Sequence, residues 1–147
     1  MQNDDRLLFF LSKAQHKLEA FLKKSLLSQN IKITAVQSGI LFLLKRRSHT
    51  MTELSKELSI DNSAITGLVD RLEKSGFAER KINPDDRRTF LISITPQGFD
   101  EINRAKVIIR RVNEQIKEGF SEEEMDIFKR VLDRFFTKFD AETIPKN

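Results

Sequence analysis

The chain has 147 residues, enough for one domain of ordinary size with a buried core. Hydrophobic residues make up 39% of it and charged residues 33%, a composition typical of a soluble globular protein and not of a disordered or membrane-spanning one. Cysteine is absent, which excludes disulfides, thiolate metal sites and thiol-based redox sensing within the chain. The two histidines, His16 and His49, lie far apart, so we expect neither a metal nor a cofactor.

The net charge of +4 is unevenly distributed along the chain. Residues 1–44 carry +3, residues 45–90 carry +2 and residues 91–147 carry −1. The mildly basic charge of residues 1–90 permits nucleic-acid binding but does not require it. The first six residues carry a net negative charge, and no run reaches the roughly 18 apolar residues of a membrane-spanning helix, so we expect a cytoplasmic protein without a signal peptide.

Two helices are predicted in the first third of the chain. A polar stretch from Ser28 to Lys32 should end the first helix, and Thr34 to Gln37 matches a capping box that opens a second one. The second helix should stop near the basic residues 45–47. The first helix is predicted from apolar residues at 4-3-4-3 spacing, namely Leu7, Leu11, Ala14, Leu18 and Phe21.

Two shorter helices should follow. Thr50 to Glu53 matches a second capping box, ahead of a helix from Glu53 to Leu58. Asp61 or Asn62 can cap a fourth helix, which Gly76 should end because glycine adopts the left-handed conformation at little cost. Three successive helices with short connections indicate a helix-turn-helix.

The hydrophobic period then changes from helical to alternating. Residues 90–94 have the pattern of a strand that can pair with residues 78–82, which leaves 83–88 as a charged hairpin tip. Thr95 and Pro96 should open a fifth helix as N-cap and first residue, and Ser121 to Glu124 is a third capping box before the last helix. Both helices show 3-4-3-4 apolar spacing, at Ile102, Ala105, Ile109, Val112 and Ile116, then at Met125, Phe128, Leu132, Phe135 and Phe139.

The fourth helix has a polar face opposite its apolar one. Small polar residues in its first half would let it enter a DNA major groove and offer hydroxyls to base edges, while Arg71 on the flank could bind a phosphate. Gly67 costs about 1 kcal/mol relative to alanine inside a helix, which favours a functional reason for it. An ordinary solvated face explains the same pattern. The residues of this face are Ser63, Thr66, Gly67, Asp70 and Lys74.

The hairpin tip combines two acidic residues with Arg87 and Arg88. Arginine on a slender hairpin can enter the narrow minor groove, where the potential is most negative. We expect Asp86 to orient an arginine through a charge-assisted hydrogen bond. The alternative is a loop that forms surface ion pairs with itself and contributes little.

A helix-turn-helix followed by a basic hairpin is the plan of a winged helix, and the segment from Leu54 to Gly98 resembles the MarR family of bacterial transcription regulators. The most specific match is Asn83-Pro-Asp-Asp-Arg-Arg88 followed by Leu91-Ile-Ser-Ile-Thr95-Pro-Gln-Gly98. The other matching stretches are Leu54-Ser-Lys-Glu-Leu58, Ser63-Ala-Ile-Thr66 and Val69-Asp-Arg-Leu-Glu-Lys-Ser-Gly76.

The resemblance implies a mainly α fold with a small β-hairpin wing, in which a winged helix-turn-helix is flanked by N- and C-terminal dimerisation helices. It implies a single domain over 1–147, with the DNA-binding part at 34–98 and the dimerisation part at 5–28 and 96–140. It further implies a homodimeric repressor of transcription that binds a pseudo-palindromic operator in double-stranded DNA. A small aromatic effector would release the DNA, and no ligand-binding residue is predicted.

Carried over by position, the resemblance places Arg88 in the minor groove with Asp86 as its brace, and Arg87 on the DNA backbone or on Asp70. Many relatives have a long basic or polar side chain where this chain has Gly67. The predicted DNA-binding residues are Asn62, Ser63, Ala64, Thr66, Gly67, Arg71, Asp86, Arg87 and Arg88.

Two other classes of function are alternatives to DNA binding. An enzyme would need convergent acid, base or nucleophilic groups, and the sequence has no cysteine, two unpaired histidines and no Gly-rich phosphate loop. A winged helix can instead be a protein–protein interaction module without specific DNA binding. Such a wing is expected to expose apolar residues, whereas this one has arginines at its tip and is predicted to expose none.

Overall fold

The computed structural model describes residues 5–140, which form six helices and a three-stranded sheet. The predicted fold class, mainly α with a small β-hairpin, is confirmed. The helices are α1 (Leu7–Leu27), α2 (Ala35–Arg46), α3 (Met51–Leu58), α4 (Asn62–Lys74), α5 (Pro96–Lys117) and α6 (Glu122–Lys138). The strands are β1 (His49–Thr50), β2 (Ala78–Ile82) and β3 (Phe90–Ile94).

The described residues divide into two compact units, one up to Arg110 and one from Arg111 onward. The first unit contains α1 to α4, the sheet and most of α5. The second contains the end of α5 and α6.

The core of the first unit is formed by the apolar faces of its helices and by the central strand. Ile65 and Val69 of α4 and Ile92 of β3 are fully buried. Ile40 and Leu41 of α2 join them in the same cluster. Because the apolar face of α4 is directed into this core, its polar face is directed outward.

Side-chain caps fix the beginnings of the helices, largely as predicted. In the box at Thr34, the hydroxyl accepts from the Gln37 backbone N–H at 3.1 Å and the Gln37 side chain accepts from the Thr34 N–H at 2.9 Å. The box at Ser121 is likewise complete. The box at Thr50 is half formed, because Glu53 binds the Arg47 guanidinium at 2.6 Å instead of returning to the helix N-terminus. The prediction of a full box there is therefore wrong. The predicted helix start at Glu53 is also wrong, because α3 begins at Met51.

The sheet has the order β1-β3-β2 and both pairings are antiparallel. The predicted pairing of residues 78–82 with 90–94 is confirmed, in a register that places Ala78 opposite Ile94 and Ile82 opposite Phe90. The strand β1, which pairs His49 with Ile92, was not predicted. Its two residues are too few to show an alternating pattern.

A dense joint connects the end of α4 to the start of α5. Gly76 has φ +79° and ends α4 as predicted, while Phe77 N–H donates to the Leu72 carbonyl at 2.9 Å, as in a Schellman motif. The Thr95 hydroxyl accepts from the Gly98 N–H at 3.0 Å and donates to the Gly76 carbonyl at 2.6 Å. The predicted N-cap at Thr95 is confirmed. A Cβ at Gly98 would lie 2.0 Å from the Phe77 carbonyl oxygen, so only glycine permits this approach of α5.

Two helices leave much of their apolar surface uncovered. In the first unit, Leu26 is the only buried residue of α1, and Leu8 and Phe21 are 72% and 46% exposed. In the second unit α6 has no buried residue, and Phe136 is 67% exposed. Contiguous apolar surface of this kind marks interaction sites. None of the helices described between residues 5 and 140 is long and apolar enough to cross a membrane.

Candidate nucleic-acid interface

Asp61 organises the beginning of α4. Its carboxylate accepts a hydrogen bond from the Ala64 N–H at 2.9 Å and another from the Ser63 hydroxyl at 2.8 Å. The Ala64 bond, followed by the Ser63 bond, lowers the pKa of Asp61. Of the two residues predicted as possible N-caps, Asp61 is therefore the N-cap of α4, and Asn62 is the exposed first residue of the helix.

The outward face of α4 presents hydrogen-bond acceptors and small apolar groups. Ser63, Ala64 and Thr66 are exposed. The hydroxyl protons of Ser63 and Thr66 are already donated within the chain, to Asp61 and to the Asn62 carbonyl at 2.8 Å in each case. Their remaining lone pairs and the Thr66 methyl group are free to meet a ligand.

Gly67 has no structural role that requires a glycine. It lies within α4 with ordinary helical geometry, and a Cβ there would meet nothing within 4 Å. Its effect is to leave the middle of the outward face flat.

Asp70, on the same face, is neutralised by the wing. It forms an ion pair with Arg80 of β2, and Arg80 Nε lies 3.5 Å from the Glu73 carboxylate. The alternative contact of Arg87 with Asp70 is wrong, because Arg80 occupies that carboxylate. Arg80 ties β2 to α4 and removes an uncompensated negative charge from a surface that would face phosphates. The sequence signal for it was the alternation of β2, which places Arg80 on the inward side of the hairpin.

The tip of the wing holds Arg88 in a fixed but accessible position. Asp86 accepts from the Arg88 backbone N–H at 3.1 Å, from its Nε at 3.0 Å and from its Nη2 at 3.3 Å. These bonds, the side-chain ones first, lower the pKa of Asp86. The Arg88 side chain is nevertheless 89% exposed. The predicted orientation of an arginine by Asp86 is thus present in the free protein.

Two further arginines remain available. Arg87, at the tip, and Arg71, on the flank of α4, are exposed, and no polar partner is found for either guanidinium group among residues 5–140. Asn83 closes the tip by donating to the Thr89 hydroxyl at 3.1 Å, and its own N–H donates to the Thr89 carbonyl at 3.1 Å.

The wing also exposes two large apolar side chains beside its tip. Ile82 is 65% exposed and Phe90 is 49% exposed. The prediction that the wing exposes no apolar residue is therefore wrong. The hairpin extends beyond the core that covers Ala78 and Ile92, so its distal residues lose that cover.

Comparison with known proteins agrees with this geometry. The sequence model of the MarR family matches residues 33–90. The chain is 35% identical over 109 residues to the transcriptional regulator PecS of Dickeya dadantii. The aligned segment covers 70% of this chain and 64% of PecS. The chain also matches the transcriptional regulator BilQ of Clostridioides difficile and the transcriptional repressor YetL of Bacillus subtilis, each at 29% identity, and it spans 57% and 61% of their lengths.

Two crystal structures have the same fold over nearly the whole chain. A probable transcriptional regulator from Pseudomonas aeruginosa is 27% identical with a TM-score of 0.82, covering 91% of this chain and 99% of that one. A mutant MarR from E. coli in complex with operator DNA is 25% identical with a TM-score of 0.80, covering 88% and 93%. These relatives are named as regulators, in agreement with the prediction that the chain is not an enzyme. The family model over residues 33–90, the relative and the two folds all agree with the resemblance of this chain to the MarR family.

Proposed function

We propose that the protein is a sequence-specific DNA-binding regulator of transcription, and specifically a repressor. The observation that carries the proposal is one surface of the first unit, where the flat polar face of α4 is joined through Asp70 and Arg80 to a wing with an exposed Arg88 at its tip, braced by Asp86. The similar fold of a MarR protein in complex with operator DNA supports it. A cytoplasmic location follows from this function.

The proposed binding mode uses both grooves of the duplex. The face of α4 from Asn62 to Gly67 enters the major groove, with Arg71 on a phosphate. Arg88 enters the adjacent minor groove and Arg87 contacts the backbone. Because Ser63 and Thr66 offer lone pairs, they suit the amino groups of cytosine and adenine, and the Thr66 methyl suits the thymine methyl.

The proposal includes a homodimer. The uncovered apolar surfaces on α1 and on α6 support it, with residues 5–28 and 96–140 as the dimerisation part and residues 34–98 as the DNA-binding part. A twofold dimer binds a pseudo-palindrome whose half-site centres lie about one turn of DNA apart. A small aromatic effector would release the DNA by favouring another arrangement of the dimer, and a coupling of about 1–3 kcal/mol suffices for a 5–150-fold loss of affinity.

Selection from a random duplex library tests this function. We expect the protein to enrich an inverted repeat with half-site centres about 10 base pairs apart, and one dimer to bind each site. Enrichment of no common sequence, from a protein that melts cooperatively, would contradict the proposal and favour a protein–protein interaction module.

Thr66 provides a test of base contact. Thr66→Ala should weaken binding to the selected duplex by about 1–3 kcal/mol and leave random DNA nearly unaffected, because only a base contact depends on sequence. Thr66→Val keeps the methyl and Thr66→Ser keeps the hydroxyl, so the pair identifies which group acts. Equal losses on both DNAs, measured by fluorescence anisotropy, would assign Thr66 to the phosphate backbone.

Gly67→Ala should change stability and DNA binding in opposite directions. Alanine in a helix, with no neighbour within 4 Å of its Cβ, should raise the free energy of unfolding by about 0.5–1 kcal/mol. The same methyl should lower affinity for the selected duplex if the flat face approaches the bases closely. Thermal melting and anisotropy measure the two effects, and an unchanged affinity would remove Gly67 from the interface.

A further inference from the structure

We propose that Ile82 and Phe90, called here the wing pair, bind the apolar face of the deoxyribose backbone that separates the two grooves. The inference rests on the proposed function and adds a contact that charge and base recognition do not supply. The two side chains are 65% and 49% exposed.

The register of the sheet fixes where the wing pair lies. Ile82 is directly opposite Phe90, so both side chains are on one face of the hairpin. Arg80 and Ile92, the next pair on that face, are opposite each other. Because Arg80 forms its ion pair with Asp70 of α4, this is the face directed toward α4.

The wing pair therefore continues the α4-facing side of the wing toward the tip. It is two residues beyond Arg80, which corresponds to about 7 Å along a strand. In the direction of the tip, the exposed Arg87 and Arg88 lie in the loop that connects Ile82 to Phe90. The pair thus lies between the α4 face and Arg88.

This position identifies the partner. If α4 occupies the major groove and Arg88 the minor groove, the protein surface between them must cross one sugar–phosphate strand. The carbon atoms of deoxyribose offer an apolar surface there, and the exposed Arg87 at the tip complements the phosphates of the same strand. Two side chains in a cationic setting are too small an area for a protein interface, which buries about 1,200–2,000 Å².

Salt dependence distinguishes this contact from those of the arginines. Cationic side chains bind phosphates with release of counterions, so their contribution falls as salt rises. An apolar contact releases none, and it therefore adds affinity by the same factor at every salt concentration. Its burial also makes the heat-capacity change of binding more negative.

The test is the double variant Ile82→Thr with Phe90→Thr, in which threonine retains the preference for a strand. Binding to the duplex selected from the library is measured by anisotropy across a series of salt concentrations. We expect affinity to fall about tenfold at each concentration, with an unchanged slope of log K against log salt. Arg88→Ala should instead reduce that slope by about one.

A matched control keeps the wing pair apolar. Ile82→Val with Phe90→Leu should retain affinity within about twofold, since the apolar contact survives. Thermal melting of both double variants checks that the exposed substitutions leave the fold intact. Loss of affinity in the threonine variant with retention in the control would support the contact.

Three results would overturn it. Unchanged affinity of the threonine variant, beside specific binding by the wild type, removes the contact and leaves the proposed function standing. If the threonine variant loses affinity but also changes the slope of log K against log salt, the substitutions have displaced the arginines of the tip. If the threonine variant sediments differently from the wild type but binds DNA equally well, the wing pair contacts a second copy of the chain instead of DNA. Absence of specific binding by the wild type removes the proposed function itself.

Discussion

Gly98→Ala is expected to lower the free energy of unfolding by about 3 kcal/mol, and the melting temperature by about 6–12 °C. The added Cβ would lie 2.0 Å from the Phe77 carbonyl oxygen and 3.0 Å from an Ile94 side-chain carbon. The first neighbour is backbone, held by the hydrogen bond that Thr95 N–H donates to it at 3.1 Å. The joint between hairpin and α5 therefore has to open before the methyl group fits.

Gly67→Ala is the matched control for this prediction. Both substitutions add one methyl group to a helical glycine, but the Cβ at Gly67 meets nothing within 4 Å. The two variants should consequently shift the melting temperature in opposite directions. A Gly98→Ala variant as stable as the wild type would show that α5 does not pack as closely against Phe77 as described.

Arg88→Ala should produce the largest loss of operator binding of any single substitution at the tip, about 1–3 kcal/mol. Arginine in a narrow minor groove gains from the negative potential of A·T-rich sequence, so the variant should also lose its preference for A·T pairs at the outer positions. The free energy of unfolding should change little, because the side chain is 89% exposed. Anisotropy with duplexes that differ only at the outer base pairs measures the effect.

Asp86→Asn separates the charge of Arg88 from its orientation. The variant keeps the arginine but loses the carboxylate charge and one of the two acceptor oxygens that bind the guanidinium at 3.0 and 3.3 Å, so a smaller loss than that of Arg88→Ala is expected. Since the Arg88 bonds lower the pKa of Asp86, the wild-type carboxylate stays charged through the neutral range and the brace is lost only as the pH falls through that lowered value. Unchanged binding by Arg88→Ala would contradict the role of the wing tip.

The features predicted from the sequence are those set by neighbouring residues. The box at Thr34 depends on residues three apart, the end of α4 on the φ of Gly76, and the two long strands on an alternation that the chain displays directly. The orientation of Arg88 by Asp86 belongs to the same class, because the two residues are two positions apart.

The features that were missed depend on packing between distant segments. Asp70 could be placed on the outward face of α4, but its pairing with Arg80 requires the distance between a helix and a strand. The pairing of β2 with β3 places Ile82 opposite Phe90, yet the exposure of both side chains depends on where the core ends. The approach of Gly98 to Phe77 likewise appears only when α5 is docked.

The central claim, specific recognition of DNA, is tested most directly by anisotropy titration of the wild-type chain against its own upstream intergenic DNA. Random DNA of equal length is titrated beside it across a series of salt concentrations. We predict tight binding to the upstream DNA, one dimer per site, with an affinity at least about 10³-fold above that for random DNA. Weak binding that is equal on both DNAs and lost at moderate salt would contradict the claim and leave only a basic surface.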